Sequence, residues 1–244
     1  MIALGKAADG SVTWTQVFNN NWAAIESELN AERRQIRWAI QKNGGLATFN
    51  NMGFTTAPTD EGTLSNLNDA TGQYVNFATA AHSDRDGGLL ASAFTIVQTQ
   101  NKPIFTMVVK TGANAADLQT CRIWCGLFSG DPMASNTPSV HLAAFRYAPA
   151  ADLTAYWRCV TDSGSGAPTV TATSVAIATD TRYVLQVDAT DPASIKFYIN
   201  GVLVATHTTE LPTTTQSLGY CVELRTLSAT ARNLRIAKLH LEHQ

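Results

Sequence analysis

Charge is scarce in this sequence. Only 15% of its 244 residues are Asp, Glu, Lys or Arg, and the formal net charge is −2. The one grouping of basic residues is Arg33-Arg34 with Arg37. A protein that grips phosphates displaces their counterions with clustered Lys and Arg, so this composition argues against a nucleic-acid ligand. Long apolar runs are missing as well: no stretch near twenty residues could span a bilayer, and no basic leader precedes an apolar core. The expectation is a chain made in a cytoplasm, without a membrane span. Cysteines are few and show no zinc-site pairing. Cys121 and Cys125 flank "RIW" on one strand, where four residues span roughly 13 Å, too far for a mutual disulfide. With Cys159 in "AYWRCV" and Cys221 in "GYCVEL", they read as small buried residues.

Catalytic groups are equally sparse. Retaining glycoside hydrolysis needs two carboxylates about 5 Å apart, which residues i and i+2 of a strand can supply because they share a face. No strand carries such a pair: Asp188 stands alone, and Glu223 in "CVELR" has no acidic residue two positions away. The "SGSG" at 163–166 is a Gly/Ser turn without the strand-to-helix context of a nucleophile elbow. The expectation is a protein that is not an enzyme and needs no cofactor. In "HSDRDGG" (82–88), Asp84 and Asp86 stand two apart like the start of a calcium loop, but Gly88 and Thr95 occupy later positions that should supply oxygens. They are the weak metal candidates, and a polar turn is the simpler account.

Against these absences stands one segment of helical periodicity. In "FNNNWAAIESELNAERRQIRW" (18–38), Phe18, Trp22, Ile25, Leu29, Glu32, Ile36 and Ala39 recur alternately four and three apart, the seam of a heptad. Thr13 and Gln16 fit a capping box, and Asn43-Gly44-Gly45 fits a helix end. A helix this short is marginal alone, so it needs its own domain, other copies of itself or another protein to lie on. Ile at both seam positions (Ile25 and Ile36) favours self-association as a homotrimer. Residues 1–45 are therefore expected to form an N-terminal oligomerisation or anchoring helix through Phe18, Trp22, Ile25, Leu29 and Ile36. Residues 46–73, rich in Gly, Asn, Thr and Asp, read as a polar linker.

From residue 74 to 244 the chain is a run of short β-segments: "YVNFAT", "ASAFTIVQT", "IFTMVVKT", "CRIWCGLF", "VHLAAFRY", "TAYWRCV", "TVTATSVAI", "RYVLQVDA", "IKFYI", "VLVATH", "YCVELRT" and "LRIAKLHLEH". That spacing predicts a mainly β, antiparallel sandwich. Asn200-Gly201 predicts a two-residue hairpin turn, in which both residues take positive φ. Sugar recognition would need an exposed aromatic ring beside polar groups. The candidates are Tyr147, Tyr156 and Trp157, with Asp131 and Asn136 in the loop "SGDPMASN" (129–136). Trp124 and Trp157 also read as sandwich core.

Two resemblances follow from these residues. "RYVLQVDATDPASIKFYINGVLVATHTTELP" resembles the penultimate strands of concanavalin A-like jelly rolls, the lectin, glucanase and laminin G-like group, and Leu234 to Leu239 resembles their closing strand. This implies a two-sheet sandwich with a concave face that often binds sugars. "GKAADGSVTWTQVFNNNWAAIE" is similar to the opening of small bacteriophage virion proteins, fibre or head-decoration subunits. Together they imply a structural subunit on a bacteriophage particle (fibre, spike or capsid decoration). It would be held to itself or to other virion proteins through residues 1–45, with a lectin-like sandwich outward on the virion surface. A module recognising a cell-surface glycan is the alternative, and a glycoside hydrolase the remote one.

Overall fold

The computed structural model describes residues 34–39, 55–59, 63–70, 72–79, 87–91, 95–132 and 135–244. Sixteen strands lie in these residues. The first eight are β1 (Arg34–Ala39), β2 (Thr55–Thr59), β3 (Thr63–Asp69), β4 (Gly72–Ala78), β5 (Gly87–Ala91), β6 (Val97–Gln98), β7 (Ile104–Thr111) and β8 (Cys121–Phe128). The rest are β9 (His141–Tyr147), β10 (Tyr156–Ser163), β11 (Thr169–Ala176), β12 (Arg182–Asp191), β13 (Ser194–Ile199), β14 (Val202–His207), β15 (Ser217–Thr226) and β16 (Asn233–His243). One α-helical turn, α1 (Pro149–Asp152), sits between β9 and β10.

Every pairing among the described residues is antiparallel. The first sheet runs β14-β13-β12-β7-β16-β4-β3, with β1 also on β16. The second runs β11-β10-β9-β8-β15-β5-β2, with β6 also on β15. Two long strands organise them. One edge of β16 pairs with β7, and its other edge is shared: Asn233–Ile236 meets β4 and Lys238–His243 meets β1. A bulge between Ile236 and Lys238 shifts the side-chain phase. Leu234 and Ile236 therefore enter the core before it, and Leu239 and Leu241 after it.

The core fills the space between the sheets. Phe197 of the first sheet meets Phe145 of the second edge-on at 5.4 Å, and Trp157 of the second meets Tyr183 of the first at 5.8 Å. Such aromatic pairs add about 0.5–1.5 kcal/mol each beyond area burial. The four cysteines are free and buried, as read from the sequence. The Asn200-Gly201 turn has φ of 52° and 81°, and the Asn200 side chain accepts the Val184 N–H, which ties the hairpin tip to β12. Across the open end of the sandwich, buried His207 of β14 bonds Thr161 of β10 through Nδ1 and Thr171 of β11 through Nε2, each at 2.9 Å. Burial pushes its pKa from 6.5 down to about 4.

Two expectations require correction. Residues 34–39 are strand, not helix, and Ile36 stands opposite Leu241 of β16. The stretch "RQIRWA" alternates polar and apolar residues from Gln35 to Trp38, which suits a two-residue period, and the half-open edge of β16 supplies its ladder. Phe18, Trp22, Ile25 and Leu29 lie outside the described residues, as do Asp84 and Asp86. The stretch 46–73 is not solely linker: β2 joins the second sheet and β3 the first. Pro58 is tolerated in β2 because that strand is the sheet's edge.

Candidate functional site

Strand alternation divides the second sheet into two faces. Cys121, Ile123, Cys125 and Leu127 of β8 enter the inter-sheet core. Arg122, Trp124, Gly126 and Phe128 therefore lie on the outer face. The register lines up Glu223, Trp124, Arg146 and Arg158 in one row across β15, β8, β9 and β10. The adjacent row is Cys221, Gly126, Ala144 and Val160. It must be small at β8: a Cβ on Gly126 would fall 2.5 Å from the Ala143 oxygen and the Ala144 Cα.

The β8–β9 connection folds back over this face. Trp124 Nε1 donates to the Ser135 carbonyl at 3.3 Å, and Arg146 Nη1 donates to the Asn136 carbonyl. The Arg146 guanidinium lies over the Trp124 ring, 5.6 Å from its centroid. Trp124 is thus sealed. At one end of the row Glu223 is fully buried, and its Oε1 accepts from Arg122 Nη2 at 3.1 Å. Burial raises the Glu223 pKa; the Arg122 charge opposes this and the Asp131 charge adds to it.

The opposite end is open. Arg146 and Arg158 both turn to the Asp152 carboxylate at the end of α1, Arg158 through Nε at 3.1 Å. Arg158 Nη2 also donates to the Thr154 hydroxyl at 3.1 Å. Tyr156, two residues before Arg158 on β10 and on the same face, is 40% exposed. Leu153 next to this group is held at φ 54° and is largely exposed. Asn136 Oδ1, Arg146 Nε and Asp152 Oδ2 have no hydrogen-bond partner among the described residues.

The five sugar-binding candidates are thereby separated. Tyr156 and Asn136 belong to this open rim. Asp131 acts at the far end of the row, on Glu223. Trp157 and Tyr147, adjacent in sequence to outer-face residues, turn into the core at 0% and 2% exposure, and the Tyr147 hydroxyl donates to the Leu118 carbonyl at 2.7 Å. Neither ring face is offered to a ligand. Sequence reasoning missed Arg146, Arg158 and Asp152. The available signal was two arginines embedded in the otherwise apolar strands "HLAAFRY" and "YWRCV". Among the described residues no three His, Cys, Asp or Glu side chains are grouped to hold a metal ion, and no helix is long and apolar enough to cross a membrane.

This architecture, two antiparallel sheets packed as a sandwich, is consistent with a jelly roll. The chain belongs to the family described as SO2946-like, C-terminal domain, whose model matches residues 87–237. It is similar to the crystal structure of a protein of unknown function, SO2946, from Shewanella oneidensis MR-1: TM-score 0.60, 10% identity, 97% of this chain and 96% of that one. It is similar to a carbohydrate esterase from the Shiga toxin-encoding bacteriophage phi24B (TM-score 0.57, 12% identity, 86% and 97% covered). A Bacillus licheniformis β-glucanase shares the fold as well (TM-score 0.51, 14% identity, 84% and 97% covered). No curated protein matches in sequence.

Proposed function

We propose that this chain is a non-catalytic carbohydrate-binding module whose ligand lies on the open rim of the second sheet, against Tyr156. The observation that carries this is the exposed Tyr156 ring, standing on the face of fixed polar groups that include Arg158 and Thr154. Sugars present C–H faces to aromatic rings and hydroxyl rims to such donors and acceptors. A non-catalytic role is supported by the state of Glu223, the carboxylate that β15 presents to this face, which is fully buried against Arg122. Fold relatives named as carbohydrate esterase and β-glucanase support the ligand class. The module's display on a bacteriophage particle, as fibre, spike or capsid decoration held through residues 1–45, is supported by the N-terminal resemblance.

The test is binding of the full chain to a panel of soluble oligosaccharides, followed by isothermal titration with Tyr156→Ala. The expected result is measurable binding that the substitution weakens about tenfold or more, in line with the loss of an aromatic contact. The melting temperature should not change. Binding indifferent to Tyr156→Ala would remove the rim as the site.

A further inference from the structure

We propose that the ligand at this rim carries a carboxylate, that is, an acidic sugar of the uronic or sialic kind. This rests on the glycan-binding function proposed above and narrows it. The basis is the charge balance around Tyr156. From Asn136 to Val160 the Asp, Glu, Lys and Arg residues are Arg146, Asp152 and Arg158, and from Ser163 to Thr179 there are none. Two guanidiniums therefore share one carboxylate, with both ion pairs converging on Asp152 Oδ1.

The other carboxylates of this face act elsewhere. Asp131 bears on Glu223 at the far end of the row, where Arg122 and Arg225 also act on Glu223. Asp162 is engaged at the far end of β10, where its Oδ1 accepts the N–H groups of Gly164 and Ser165. One positive charge at the Tyr156 rim thus lacks a counter-charge among the described residues. Arg146 is nearly sealed, with 6% of its side chain exposed, whereas Arg158 keeps 17% exposed beside the Tyr156 ring. Arg158 is the group through which that charge can be met from outside.

A sugar carboxylate fits what is offered. Guanidinium recognises carboxylate through parallel N–H donors, is weakly hydrated and is always charged. A sugar ring on Tyr156 would hold a ring carboxylate on the Arg158 side of the face, and a neutral sugar would leave the excess charge unanswered. Arg158 is on this account the group that selects charge, while Tyr156 binds sugar rings of either kind.

The experiment is isothermal titration of the full chain with trigalacturonate, trigalacturonate methyl ester, sialyllactose, lactose and lactose sulfate. At least one carboxylated probe is expected to bind about tenfold or more tightly than its uncharged counterpart, with affinity falling as salt rises. Arg158→Gln should bring the acidic probe down to the neutral one's affinity, while Arg158→Lys keeps part of the preference. Melting temperatures identify any variant that fails to fold, and the salt dependence of the natural chain then carries the test. Equal binding of acid and ester overturns the carboxylate assignment and leaves glycan binding standing. Binding of lactose sulfate without either carboxylated probe also overturns it. Failure of every probe here and of the wider neutral panel removes the glycan-binding proposal itself, and this inference with it.

Discussion

His207 shows how one side chain can join two sheets and set their acid tolerance. Both ring nitrogens are engaged by threonine hydroxyls of the opposite sheet, and burial favours the neutral ring. Its folded pKa, about 4, lies below the ordinary 6.5, so the folded state binds fewer protons than the unfolded state between these values. The contribution to stability is complete above pH 6.5 and is lost as pH falls towards 4. Urea unfolding at pH 7 and at pH 4.5 should differ by on the order of 2–3 kcal/mol from this residue. His207→Gln should lose that part of the pH dependence. A substituted protein with the same acid profile as the natural one would show that other groups set it. Tyr156 and Trp157 make a second point at this scale: adjacent aromatics, one facing solvent and one buried, cannot be ranked as ligand platforms by composition, because alternation alone decides between them.

Among the elements, β8 is the most constrained, being buried along its whole length. Gly126→Ala would drive a Cβ into the backbone of β9. The expected cost is about 1–3 kcal/mol or more, with β8 and β9 spread apart and the Trp124 side disturbed. Denaturant unfolding measures it, and an unchanged midpoint would mean that the two strands can part without loss. Most elements were legible in the sequence, since runs such as "IFTMVVKT" and "IKFYI" alternate or concentrate apolar residues between clear turns. The illegible ones share a physical cause. β1 alternates over only four residues, β2 and β3 have weak patterns of their own, and all three depend on the backbone edges that β16, β5 and β4 offer. The heptad spacing that ends at Ala39 overlaps a polar-apolar alternation from Gln35 to Trp38, and over these last six residues the strand period prevails. At the rim, Tyr156 and Asn136 were visible as residue types. The convergence of Arg146 and Arg158 on Asp152 was not, because it depends on register between β9 and β10 and on the helical turn that brings Asp152 back.

For the whole molecule, the N-terminal segment matters to the sandwich through β1, which covers part of one edge of β16. A chain beginning near Leu46 lacks β1, and the edge of β16 from Lys238 to His243 is then bare. Exposed edges with free backbone groups pair with other chains. The shortened protein should melt at a lower temperature than the full chain and associate through that edge as concentration rises. Light scattering behind a sizing column, with thermal melting, checks both. A shortened chain that stays monomeric and equally stable would show that β1 is dispensable to the fold.

The shared edge of β16 also bears on how the protein is made. Arg34 faces His243, and β4 reaches its sheet only through Asn233–Ile236. β5 similarly waits for Cys221–Arg225 of β15. During synthesis the earliest strands emerge from the ribosome long before the strands that will cover their backbone groups, and pairings so distant in sequence close slowly. The hairpins β8 to β11 and the ladder of β7 with β12 to β14 can form earlier, but β1, β4 and β5 cannot join their sheets until β15 and β16 are made, and until then their open edges are at risk of pairing with another chain. The protein's yield in a cell should depend on translation speed and on chaperones that shield extended segments more than on the stability of the finished fold.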